Sequence, residues 1–182
     1  MLSLPIPEFR KKARDLAEGL WREPATPVFL EEVKPAFQVP GRRKDGTIEG
    51  QNQARHAVWS AVRGTVGGLA SVILSMGSGQ AGSAFGRDGL VQGPPNALAL
   101  RMVDAARPAD GAWLVYSQHH VAIIDTGSII YDPKDCQPAI LWHAQYPHAP
   151  RVTPTKSLLT WQDGSSFQYV PSMKDAQYPG YP

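Results

Sequence analysis

The residues best suited to chemistry gather in one short stretch. Ser117-Gln118-His119-His120 lies between two apolar runs, with Asp125 five positions on. On paper Ser117, His120 and Asp125 supply the nucleophile, base and orienting carboxylate of a small hydrolase. No Gly-x-Ser-x-Gly elbow accompanies them, and such a trio arises by chance in any chain of this size. The five histidines are His56, His119, His120, His143 and His148. Zinc wants three or four ligands, usually paired at short spacing. His119 and His120 are adjacent and should point apart in a turn, and His143 and His148 straddle Pro147. Neither a catalytic set nor a metal is expected.

Two other patterns carry chemistry elsewhere. Gly77-x-Gly79-x-x-Gly82 follows an apolar run and matches the glycine loop that cradles a pyrophosphate at a helix start. The helix that should follow is missing, because Gly86, Asp88-Gly89 and Gly93-Pro94-Pro95 arrive at once. A glycine-rich linker over 77–95 is the expectation, with no cofactor. The lone cysteine, Cys136, lies in the turn-rich Asp132-Pro133-Lys134-Asp135-Cys136-Gln137-Pro138 and reads as a surface or half-buried loop residue.

The elements around these residues follow from periodicity. Pro7 to Trp21 predicts a helix with Phe9, Ala13, Leu16, Ala17 and Leu20 on one face and Glu8 paired to Lys12. The segment 24–50 is rich in proline and predicts irregular chain, with Val28-Phe29-Leu30 as a short strand. Residues 51–76 keep helical spacing but contain Gly64, Gly67 and Gly68. Gly64 and Gly68 stand at the spacing that lets two helices pack closely. The charge-free run 64–76 has the length of a core helix, though a membrane-seeking segment over 57–90 is the alternative. Asn96 is expected to cap a helix presenting Leu98, Met102, Val103 and Ala106, ended by Pro108 and Asp110-Gly111.

From Ala112 onward the grammar is that of strands. These are 113–116, 121–125, 129–131, 139–142 and 151–153, then the hairpin 158–170 with Asp163-Gly164 at its tip. The connections are too short for crossover helices, so the strands must pair antiparallel. Trp113, Trp142 and Trp161 are expected in the core or rim of that sheet. The fold class is therefore α+β: a helical region over 1–107, an antiparallel sandwich or partial barrel over 108–176, and a frayed tail over 177–182.

Composition limits the function. Of 182 residues 42% are hydrophobic, enough for a real core, and the net charge of +2 gives no basic field for nucleic acid. Arg42-Arg43-Lys44 is a short basic run, expected on a solvated loop. One thiol cannot form an internal disulfide, and the N-terminus lacks the pattern of a secretory signal. A cytoplasmic location follows as the expectation. The wealth of Ala, Gly, Pro and Arg is the usual look of a GC-rich bacterial genome.

The stretch Trp113 to Asp125, then Leu141-Trp142, Pro150-Arg151-Val152 and Trp161-Gln162-Asp163-Gly164-Ser165, resembles bacterial pleckstrin-homology-like (PH-like) modules, including their GRAM-type relatives. The likeness spans roughly residues 108–175. Where that family carries a turn arginine, this chain has His119 or His120. Where the family closes its barrel with a C-terminal helix, only Pro171 to Ala176 remains. The resemblance implies a non-enzymatic binding or scaffold module with a protein or lipid-headgroup partner. His119, His120, Arg151 and Lys156 are the candidate ligand contacts. Two alternatives are a membrane-peripheral protein anchored through 57–90, and a hydrolase or metal enzyme using the His119/His120 turn. Self-association through Gly64 and Gly68, or through an open sheet edge, is compatible with the sequence.

Overall fold

The computed structural model describes residues 5–48 and 89–175. Gly64, Gly68, the glycine loop before Gly89, the 57–76 segment and the tail beyond Asp175 lie outside the described residues.

The first helix, α1 (Ile6–Trp21), forms where the apolar spacing places it. Ile6, Phe9, Ala13 and Ala17 are buried, whereas Leu20 is 58% exposed. Arg22 ends the helix in the left-handed conformation, its N–H donating to Glu18 O. Lys12 does not pair with Glu8; its Nζ reaches Cys136 O across the fold, and the helical pair is Lys11 with Asp15.

Ten further elements follow: β1 (Thr26–Glu31), β2 (Ala36–Gln38), β3 (Gly89–Gln92), α2 (Leu98–Ala106), β4 (Ala112–Tyr116), β5 (His120–Asp125), β6 (Ala139–Gln145), β7 (Arg151–Thr153), β8 (Leu158–Thr160) and β9 (Ser166–Tyr169). They build two sheets. One has the order β1-β4-β5-β6, and the other β2-β3-β9-β8-β7. The architecture is α+β. The strands β4 to β9 pair antiparallel throughout, as short connections require. The β2–β3 pair is parallel, and β1, β2 and β3 all come from before Pro108.

The first sheet is covered on both faces. Phe29, Trp113, Val115, Ala122 and Ile124 face α1. Val28, Leu114, Val121 and Ile123 face the main core, which they share with α2 and the second sheet. This double burial explains why 113–115 and 121–124 are continuous apolar runs rather than alternating ones. Each fully buried side chain of this size contributes roughly 1.5–3 kcal/mol relative to exposure.

Three local expectations are corrected. Residues 89–92 are a central strand and not loop: Leu90 and Val91 are buried between β2 and β9, and Gly89, at φ +118°, lies so close that a Cβ would stand 1.9 Å from Gln168 O. The expected strand at 129–131 is a turn, with Tyr131 N–H on Ser128 O. The chain leaves the sheet there to bury Ile129 against the α1 core. Asn96 does not cap α2. Asp163 Oδ2 accepts from Leu98 N–H at 2.7 Å and Ser165 Oγ from Ala99 N–H at 3.2 Å, so the tip of the β8–β9 hairpin caps the helix. At that tip Gly164 has the positive φ, +80°.

The C-terminal segment is a single turn, with Asp175 N–H on Ser172 O. It is pinned along β1: Ser172 N–H donates to Phe29 O at 2.8 Å. Asp175 is fully buried against Arg10 of α1, whose Nε donates at 3.0 Å. Among the described residues, no helix is long and apolar enough to cross a membrane.

Candidate functional site

The site is built where the C-terminal end of α1 meets the β4–β5 hairpin. The left-handed turn at Arg22 swings Glu23 off the helix axis, and Ala25 N–H on Glu18 Oε1 fixes the chain beyond it. The hairpin is closed by Ser117 N–H on His120 O at 2.9 Å. Odd positions of β4 and even positions of β5 face α1, which puts Ser117 and His120 on the side where Glu23 arrives.

Glu23 is the hub. Its carboxylate accepts from Ser117 Oγ, from His120 Nδ1 at 2.7 Å and from His119 Nδ1 at 2.9 Å, with His119 N–H at 3.4 Å. The adjacent histidines therefore converge and do not point apart. The turn residue and the first strand residue reach opposite oxygens of one carboxylate. A carboxylate only accepts, so each Nδ1 carries its hydrogen and Nε2 is the basic nitrogen. The Ser117 bond, followed by those from His119 and His120, lowers the Glu23 pKa from 4.5 to about 2.

His120 is also held by its ring. Trp21 lies parallel to it at 5.1 Å and 8°, and His143 of β6 at 5.4 Å and 15°. Trp21 and His143 are 5.8 Å apart. Near-parallel rings do not aim their in-plane nitrogens at a common point, so this triangle is a packing device. Burial, then the nearby His120, lowers the His143 pKa.

The trio Ser117, His120 and Asp125 is not brought together. Asp125 sits at the far end of β5, where its Oδ1 accepts from Gly111 and Gly127 N–H. Ser117 gives its hydrogen to Glu23, whose depressed pKa makes it a poor base. Among the described residues, no group of three His, Cys, Asp or Glu side chains is placed to hold a metal ion. Cys136 is half-buried, its Sγ 3.0 Å from Thr126 O, and burial raises its pKa.

A groove of about 620 Å³ opens beside this hub. The β4–β5 turn forms one wall, and the β6–β7 and β8–β9 connections form the other. Tyr116, Pro147 and Pro150 give it apolar surface, Gln118 and Gln162 give it amides, and buried Trp161 underlies it. Gln162 Nε2 donates to Pro147 O and ties the two connections together. Among the described residues that line it, Arg151 is the one Lys or Arg side chain, and none is Asp or Glu.

His119, His120 and Arg151 all line this groove. Lys156 does not; it lies on a second depression of about 640 Å³ with Gln168, Tyr169 and Pro171. Sequence reasoning missed Glu23, the residue that organises the hub. Nothing in Arg22-Glu23-Pro24 marks it, because its partners are 94–97 positions away. Tyr116 and Gln162 were legible only as strand and turn residues. No family model, curated protein or solved structure matches the chain.

Proposed function

We propose that this chain is a non-enzymatic binding or scaffold module of PH-like type, and that the groove beside the His119–His120 turn takes an extended protein segment carrying a carboxylate. The observation that carries this reading is the make-up of the groove among the described residues: apolar and proline surface, two amides, a single arginine and no acid. Grooves with aromatic surface are a recurring site for extended peptide segments. A guanidinium receives a carboxylate in bidentate fashion. A lipid headgroup bearing several phosphates would call for several cations, and the groove has one.

The resemblance to PH-like modules supports the same reading through the hairpin at 113–125 and the turn Gln162-Asp163-Gly164-Ser165. The hydrogen-bonded hub then serves as the rigid wall of the groove and not as a reaction centre. Its titratable side chains are tied to one another, and its serine lacks an imidazole base.

The test is a selection of random dodecapeptides on the immobilised full-length chain, with Arg151→Ala as the counter-target. Peptides enriched in Asp or Glu that lose at least about tenfold in affinity on Arg151→Ala support the reading. Peptides indifferent to Arg151 refute it. So does preferential binding to vesicles of phosphatidylcholine doped with phosphatidylinositol bisphosphate, which would assign the site to a headgroup.

A further inference from the structure

A sheet edge exposes a row of backbone donors and acceptors, and folded proteins protect such edges with short strands, prolines, charges or a covering segment. Among the described residues the two sheets have four edges, and three of them are protected in those ways. The C-terminal segment covers β1, through Ser172 N–H on Phe29 O and Asp175 Oδ2 on Phe29 N–H. At β2, Phe37 N–H is bonded to Lys44 O, and Pro35 and Pro40 flank the strand. β7 has three residues, lies between Pro150 and Pro154, and carries exposed Arg151.

The fourth edge is β6, Ala139-Ile140-Leu141-Trp142-His143-Ala144-Gln145, the longest strand of the two sheets. It contains no proline, no Lys, Arg, Asp or Glu, and, among the described residues, no backbone partner on the side away from β5. Apolar exposure concentrates beside it. Of seven large apolar side chains left exposed among the described residues, Ile130 (76%), Tyr131 (68%), Ile140 (37%) and Tyr146 (71%) lie on this strand or its flanks.

We propose that β6 pairs antiparallel with β6 of a second copy of this chain, joining two four-stranded sheets into one across a two-fold axis. The occupant follows from charge. A strand without charged residues meets its own copy with no like-charge conflict. Its entry carries exposed Asp132 and Asp135, with Lys134 between them, and its exit carries exposed His148 and Arg151. Antiparallel pairing brings the acidic-leaning entry of one copy towards the basic exit of the other, whereas parallel pairing sets like against like.

Sedimentation equilibrium of the full chain tests it, with Ala139 and Gln145 as the probes, since both are exposed on β6. The unsubstituted chain should sediment at twice its chain mass. The double variant Ala139→Lys/Gln145→Lys should dissociate with a Kd at least about tenfold higher, as should Ala139→Glu/Gln145→Glu, while an equimolar mixture of the two should recover the dimer. Circular dichroism confirms that each variant is folded. A monomer at every concentration, or a dimer whose Kd is unmoved by either double variant, would overturn the proposal.

Discussion

Two carboxylates hold α1 to the rest of the molecule, and they do so in opposite environments. Asp175 is fully buried, gripped by Arg10 and facing Phe29 N–H. Glu23 is partly open to solvent and is gripped by a serine and two histidines. The first has a guanidinium partner, with its donors in a fixed fork. The second has as partners one hydroxyl and two imidazoles, each giving it a single hydrogen bond from its side chain. Burial makes the Asp175 contact an all-or-none structural lock. Exposure makes the Glu23 contact a graded one, suited to the wall of a groove.

Breaking the lock should have the largest effect. Arg10→Ala or Asp175→Ala leaves an uncompensated buried charge and should cost about 3–5 kcal/mol by urea unfolding. A loss under about 1 kcal/mol would show that the C-terminal segment is not held as described.

Glu23→Gln should be milder and dependent on pH. The folded state lowers the pKa of this group, so its contribution is fully present above about 4.5 and is lost as pH falls towards about 2. Melting curves of the unsubstituted protein should therefore drop more steeply than those of Glu23→Gln across that window. Parallel curves would contradict the hub. A sharper probe is His143, whose imidazole should titrate below its ordinary 6.5 by NMR, mainly from burial and secondarily from His120. In His120→Gln part of that depression should disappear. Smallest of all, Lys11→Ala removes an exposed helical pair and should change stability by about 0.3–0.5 kcal/mol.

The helix α1 and the six strands β4 to β9, the 158–170 hairpin among them, were legible because each obeys a local rule: apolar spacing, apolar runs bounded by turns, or Asp-Gly at a tip. β3 was hidden because Gly89 and the following Gly93-Pro94-Pro95 look like linker. Only its burial between β2 and β9 makes it a strand. The turn at 129–131 has strand composition, and tertiary contact with α1 overrides it. Likewise the cap of α2 comes from Asp163 and Ser165, far along the chain, while the adjacent Asn96 does nothing of the kind. His119, His120 and Arg151 could be picked out by type. Glu23 could not, because its role arises only when the end of α1 meets a hairpin nearly a hundred residues on.

The central claim is that the groove beside this hub is a binding surface read by Arg151. Its most direct test is an amide chemical-shift map of the full-length chain, titrated with the tightest acidic dodecapeptide from the selection. The account predicts shifts at Tyr116, Gln118, Arg151 and Gln162, with little change around Lys156 or at Arg10 and Asp175. Shifts centred on Lys156, or spread over the molecule without reaching Arg151, would contradict it.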